Sequence, residues 1–192
     1  MAAPRTQIRR KPERALRVPE DAEEILRTAL VAHVGFVQDE QPYVIPFTYL
    51  YRDGHIYLHG APAGRAIRLL ASGAPACVEV TLVDGLIASK TAEKHSVNYR
   101  SVVCFGRGRL VEDAAHRAEV FRSLIGRYFP GRTAGVDYAH ITEPELKRVW
   151  LVELRIQAMS AKGRSGGPLG PLDADPDAPG SAGIVPVGIR EA

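Results

Sequence analysis

The chain is poor in the residues that build easily recognised centres. It has two cysteines, Cys77 and Cys104, with no CxxC pair and no Cys/His grouping at zinc spacing, so no metal site is expected. Both cysteines lie inside apolar runs and read as buried thiols of a reducing compartment. No apolar run approaches the roughly 18 residues of a membrane span, so no membrane association is expected. The N-terminus, MAAPRTQIRRKPERALRV, is basic but has no apolar core. It does not read as a secretory signal, and a cytoplasmic location is the expectation. There is no GxxxxGK[ST] loop and no internal repeat.

With 45% apolar and 24% charged residues in 192, the composition is that of one soluble domain with a real core. The net charge of +3 is unevenly spread. Residues 1–18 hold Arg5, Arg9, Arg10, Lys11, Arg14 and Arg17 against Glu13, a net +5, which leaves −2 for residues 19–192. The basicity therefore belongs to one arm. Such an arm reads as a solvated or partner-wrapping tail, and nucleic acid is not the expected partner. The Gly-, Pro- and Asp-rich stretch from Ser165 to Gly183 cannot supply a core. The expected organisation is an arm at 1–18, a domain at 19–164 and a tail at 165–192. The tail ends in GIVPVGI, which could dock on the body or on a second subunit. Ile184, Val185 and Val187 are expected to pack across a dimer.

Acidic residues crowd the start of a helix at Pro19–Glu24, with Ala22, Ile25, Leu26, Ala29 and Leu30 at helical spacing. The period then changes. LVAHVGFVQDEQPYVIPFTYLYRDGHIYLHG reads as a three-stranded antiparallel meander, with turns at Asp39–Pro42 and Arg52–His55. Residues 62–72 return to helical spacing and stop at Gly73. Strands are expected at 77–89, after the polar connection 91–96, and at 149–163, where Trp150, Val152, Leu154 and Ile156 should face the core. A helix is expected at 114–131 and a helical turn at TEPELKR. The sum is about six antiparallel strands with a few helices, a small β-barrel or an α+β domain. A sandwich is weakened by the helix at 62–72.

Three polar clusters stand out. In YLHGAPAGRAIRLL (57–70) a strand ends at His59-Gly60, and Gly64-Arg65 opens a helix with Arg68 one turn on. Free backbone N–H groups and two guanidinium groups make an anion site, and glycine lets a phosphate approach. A solvated loop with surface arginines accounts for the same stretch equally well. In VNYRSVVCFGRGRLVED (97–113), Asn98, Tyr99, Arg100 and Ser101 run into an apolar strand. Arg100 and Ser101 suit a phosphate or carbonyl, and Tyr99 offers a flat face to a ring. Both sides of that strand are apolar in the middle, so both should be covered. In YVIPFTYLY (43–51), Pro46 removes a ladder donor, as an edge strand or a neighbouring ligand slot would explain. Thr48 could hydrogen-bond a flat heterocycle. A flat ring with an anionic tail satisfies all three. Flavin mononucleotide is such a molecule, and other nucleotides are too.

Taken in order over roughly residues 20–164, YVIPFTYLYRDGHIYLHGAPAGRAIRLL, VNYRSVVCFGRGRLVED and KRVWLVELRIQAMSAKGR resemble the pyridoxamine 5′-phosphate oxidase-like flavoproteins. They are most similar to the branch containing the 5-nitroimidazole resistance proteins. The resemblance implies a mainly β (α+β) fold, a six-stranded antiparallel split β-barrel with peripheral helices. It implies a homodimer with FMN in two clefts at the subunit interface. Pro46, Phe47, Thr48 and Tyr49 would line the isoalloxazine. His59, Gly60, Gly64 and Arg65 would lie by the ribityl phosphate or the ring edge, with Arg65 on the phosphate. Asn98, Tyr99, Arg100 and Ser101 would complete the cleft. His59 is the implied catalytic candidate, donating a proton or orienting substrate, or else a strand-end histidine bonded to FMN.

The chain also departs from that family's pattern. Gly64-Arg65 stands where the true oxidases have an Arg-Lys pair, and their C-terminal substrate motif is absent from AMSAKGRSGGPLG, so vitamin B6 oxidation is not expected. Some relatives bind haem or a deazaflavin, and the spacing of His33, His55, His95 and His140 selects none of them as an iron ligand. The expected function is an FMN-dependent oxidoreductase reducing a small aromatic or nitro compound. The alternative is a non-enzymatic flavin or haem carrier or sensor.

Overall fold

The computed structural model describes residues 5–187. The helices are α1 (Glu20–Thr28), α2 (Arg65–Ala71), α3 (Ala114–Tyr128) and α4 (Glu143–Arg148). The strands are β1 (Ala32–Gln38), β2 (Gln41–Phe47), β3 (Leu50–Arg52), β4 (His55–Gly60), β5 (Pro75–Ala88), β6 (Ser96–Leu110), β7 (Trp150–Arg164) and β8 (Gly183–Val185). Among the described residues no helix is long and apolar enough to cross a membrane.

Helix positions follow the apolar spacing. α1 buries Ala22, Ile25 and Leu26, and Ala29 is buried just beyond it. Leu30, expected on the same face, is half exposed because the helix has already ended. α2 buries Ala66, Ile67 and Leu70. Gly73 follows with φ +86, the left-handed conformation expected of a helix stop. Asp113 caps α3 through its carboxylate, which accepts from the His116 N–H at 2.6 Å. α4 starts with a capping box in which Glu145 accepts from the Thr142 N–H at 2.8 Å.

The sheet has eight strands rather than the six expected, in the order β2-β1-β5-β6-β7-β4-β3, with β8 paired to β5. It is antiparallel and not closed, as in a split barrel. Two-residue turns join β1 to β2 and β3 to β4, since Gln38 pairs with Gln41 and Arg52 with His55. Asp39, Glu40, Asp53 and Gly54 all have positive φ, as such hairpin turns require.

The expected meander is the main correction. Its middle strand breaks at Thr48-Tyr49. The halves β2 and β3 then stand at opposite ends of the strand order. β2 is an edge, so Pro46, opposite His33, needs no ladder partner on its far side. β7 differs too. Leu151, Val152, Glu153 and Leu154 are all buried, so both its faces are covered. One face meets a cluster of Leu50, Tyr57, Val111, Val120, Leu124 and Leu151, in which α3 supplies the cover.

Contacts divide the chain into two compact units. The first takes the residues through Ile25, Thr81–Val102 and the residues from Ser160 on. The second takes Leu26–Val80 and Val103–Met159. In the second, Gly106 and Gly108 allow close strand approach. A Cβ on Gly106 would collide with the Arg155 carbonyl oxygen and lie 2.6 Å from Leu154 Cδ2. In the first, the basic arm lies along the end of β7, where Leu16 N–H donates to Ala161 O at 3.0 Å and Lys162 Nζ to Arg10 O at 2.7 Å. The tail docks on its own chain. Asp173 accepts from the Ser89 hydroxyl at 2.9 Å and the Lys90 N–H at 2.7 Å, and β8 pairs Ile184 with Ile87. Of the apolar patch GIVPVGI, Gly188 and Ile189 lie outside the described residues.

Candidate functional site

In the second unit the strand break puts Phe47 and Thr48 half-buried and exposed, respectively, at the end of β2. Tyr49 turns inward and is fully buried. Its hydroxyl donates to Leu26 O at 2.7 Å, and Arg127 stacks 4.8 Å from its ring centroid. The Tyr49 side chain is thus a core element, and its backbone N–H and C=O face the Tyr128 hydroxyl at 3.0 and 3.2 Å. Pro46 is exposed on the edge.

His59 and Gly60 end β4, opposite Leu151 and Trp150. His59 borders a pocket of about 260 Å³ with Thr48, Phe121, Ile125, Tyr128 and Phe129. Its ring meets Phe121 edge-on at 5.5 Å, and its Nδ1 is buried with no hydrogen-bond partner among the described residues. Burial lowers its pKa, because the charged form has lost its water. The imidazole is therefore neutral at neutral pH and can accept a proton or bind a metal, but it is a poor proton donor.

Gly64-Arg65 begins α2 as expected. A Cβ on Gly64 would come 3.0 Å from the Ala61 carbonyl oxygen, and one on Gly60 2.9 Å from Ile67 Cγ1. α2 has only seven residues, so its dipole is short and the positive charge falls to Arg65 and Arg68. Both line a cavity of about 600 Å³ with Gln38, Ser72 and one carboxylate, Asp39. The Arg65 guanidinium lies 4.3 Å over the Tyr43 ring, a contact that holds it without neutralising it. Tyr43 was not singled out in the sequence. Its signal, an aromatic on the edge strand, is common to many strands.

The third cluster belongs to the first unit. Asn98 is buried, donates to Gly166 O at 3.0 Å and accepts from Arg164. Arg100 binds Asp84 at 2.9 and 3.1 Å and Glu24 at 3.2 Å. Ser101 donates to Lys162 O at 3.3 Å. Tyr99 is half-buried. Three of these four polar groups are thus already engaged.

The histidines considered as iron ligands separate by their surroundings. His33 faces Glu79 at 3.4 Å, while His55 and His95 hydrogen-bond the Asp53 and Ala92 carbonyls. His140 is exposed. Among the described residues no three His, Cys, Asp or Glu side chains group as a metal site. His59 differs from these in having a buried ring nitrogen, Nδ1, with no hydrogen-bond partner among the described residues.

A family model described as pyridoxamine 5′-phosphate oxidase matches residues 19–163. Among curated proteins none matches. Among solved structures, the flavocytochrome Anf3 from Azotobacter vinelandii is 30% identical, covers 99% of this chain and 87% of its own, and superposes with a TM-score of 0.83. An FAD and haem binding protein from Mycobacterium smegmatis is also 30% identical, covering 93% and 88% with a TM-score of 0.79. A candidate 5-nitroimidazole antibiotic resistance protein from Bacteroides thetaiotaomicron, at 21% identity, 78% and 86% coverage and a TM-score of 0.65, shares the fold. A split antiparallel sheet, a match over three quarters of the length and relatives at 30% identity agree with one another: the chain belongs to the pyridoxamine 5′-phosphate oxidase family.

Proposed function

We propose that the protein is a flavin-binding oxidoreductase that holds haem as a second cofactor. The flavin part is carried by the Gly64-Arg65 segment, where two side-chain cations border one cavity of about 600 Å³. Arg65 and Arg68 would neutralise the ribityl phosphate, and Thr48 with the backbone at Pro46–Thr48 would meet the ring edge. That phosphate is common to FMN and FAD. FMN is the form we assign, and extraction followed by chromatography of the released flavin distinguishes it from FAD.

In the homodimer we propose, Tyr99, with Asn98, Arg100 and Ser101 around it, completes the flavin cleft of the neighbouring subunit. Half-buried Val103 and Phe105 on β6 and exposed Val37 and Val44 on β1 and β2 supply apolar surface for a subunit contact. Sedimentation of the protein as a monomer would remove this part.

The haem reading is favoured by His59. The half-buried imidazole leaves its Nδ1 buried without a hydrogen-bond partner among the described residues, and ligation of iron at that atom would remove the cost. When bound, the flavin supplies hydride and single-electron chemistry and the haem single-electron chemistry. The protein's own part is to hold both, exclude water with Phe121, Ile125 and Phe129, and keep His59 neutral. Its electron acceptor is proposed to be a small aromatic or nitro compound. The test is the visible spectrum after reconstitution with FMN and haemin. Flavin bands that weaken in Arg65→Ala and a Soret band that shifts in His59→Ala are expected. No flavin uptake at all would overturn the proposal.

A further inference from the structure

Beside the His59 pocket, a cleft of about 630 Å³ runs between α3, α4 and the loop that joins them. Its inner walls include Phe121, Ile125, Ile141 and Val149. Phe121 and Ile125 also wall the His59 pocket, so the two cavities have common side chains. At the rim of the cleft stand Arg122 and Arg148, both exposed. Neither makes a side-chain hydrogen bond or ion pair with a described residue. The one carboxylate at the rim, Glu145, is held by the Thr142 N–H and hydroxyl at 2.8 and 2.7 Å. Thr142 keeps its pKa low, with the charge of Arg148 a minor contributor. Two guanidinium groups are thus left over an apolar floor, with Tyr138 and His140 also on the lining, and the His59 pocket, where Nδ1 has no partner among the described residues, adjoins through Phe121 and Ile125.

That pattern sets the chemistry of an occupant. The floor calls for a flat apolar body and the rim for two carboxylates on one edge. The neighbouring imidazole calls for a metal. A small nitroaromatic satisfies the floor alone, and an apolar peptide leaves both the arginines and His59 unanswered. We infer that this cleft receives the carboxylate-bearing edge of haem, with Arg122 and Arg148 as the partners of its two propionates. The inference rests on the haem reading above and adds where the group lies and which residues orient it. Arg122 is on α3, which also carries Phe121 and Ile125, while Arg148 ends α4. The two helices would therefore orient the group through its carboxylate edge.

The test uses the full chain, stripped of cofactors and titrated with haemin and with haemin dimethyl ester, whose propionates are uncharged. Arg122→Gln and Arg148→Gln should each weaken haemin binding about three- to tenfold, as expected for a charge-assisted bond at a surface. The ester should bind the native chain and both variants alike. If the double variant binds haemin like the native chain, the cleft is not the propionate site. If the ester is weakened as much as haemin, the arginines act on the fold and the inference falls. Failure of the haem reading looks different: the native chain would then give no Soret shift with either compound. Unchanged far-UV circular dichroism and unchanged FMN uptake in the variants confirm that they are folded.

Discussion

The Tyr128 hydroxyl occupies the backbone of Tyr49. It accepts from the Tyr49 N–H at 3.0 Å, lies 3.2 Å from the Tyr49 carbonyl oxygen and donates to Leu30 O at 2.7 Å. This is the corner where β2 ends and β3 begins, so the Tyr49 N–H and C=O have left the ladder and need another partner. One phenol from the last turn of α3 supplies it. Tyr128→Phe keeps the ring and leaves these groups unpaired. It should cost about 1–3 kcal/mol in urea unfolding. A change below a few tenths would mean that water replaces the hydroxyl freely.

Two glycines should respond to alanine in opposite ways. Gly106 has the Arg155 carbonyl and Leu154 where a Cβ would stand, and backbone cannot step aside cheaply. Gly106→Ala should destabilise by about 1–3 kcal/mol or prevent folding. Gly126 lies within α3 with nothing within 4 Å of its Cβ position. Gly126→Ala should stabilise by about 0.5–1 kcal/mol, through the lower helix cost of alanine. Thermal midpoints of the two variants measured side by side test both.

The core should fail in alkali. Burial pushes the Cys104 thiol up to about 12 from an ordinary value of 9.0, and the neighbouring Cys77 adds to the shift. Burial also raises Tyr49. An unfolded chain ionises Cys104 near pH 9 while the folded chain holds the proton. Between pH 9 and 12 the unfolded state therefore binds fewer protons, and stability falls as pH rises. The slope is about 1.4 kcal/mol per pH unit for each such group, and the thiol contributes nothing below pH 9. Urea midpoints measured from pH 8 to 11 should show this decline, and Cys104→Ala should make it shallower.

Asp173 should hold the tail. Desolvation acts to raise its pKa, but hydrogen bonds from the Lys90 and Gly170 N–H groups and the Ser89 hydroxyl outweigh it and keep the carboxyl below the usual range. A carboxylate held in this way contributes above its unfolded pKa and loses the contribution as pH falls through its folded value. Asp173→Ala should speed amide exchange over residues 170–187 and leave β1 to β4 unchanged. Equal exchange in the tail of the variant and the native chain would show that β8 pairing alone holds the segment.

Much of the fold was legible locally. Apolar spacing marks α1, α2 and α3, because a helix face is set by residues three and four apart. Asp39-Glu40 and Asp53-Gly54 mark the hairpins, because only a few residue types tolerate positive φ. The motifs around Gly64-Arg65 and Asn98–Ser101 carried the family resemblance. The strand break at Thr48-Tyr49 was not legible, since YVIPFTYLY reads as one run and the group that stabilises its corner stands 79 residues away on Tyr128. The double burial of β7 and the lack of a partner for His59 Nδ1 are of the same kind, as each depends on what α3 brings against the sheet. The sequence by itself determined the local elements and the family, through short-range periodicity and turn chemistry. Only the tertiary structure decided that His59 Nδ1 is buried without a partner among the described residues and that Arg122 and Arg148 border one cleft, because both follow from side chains that meet across long stretches of chain.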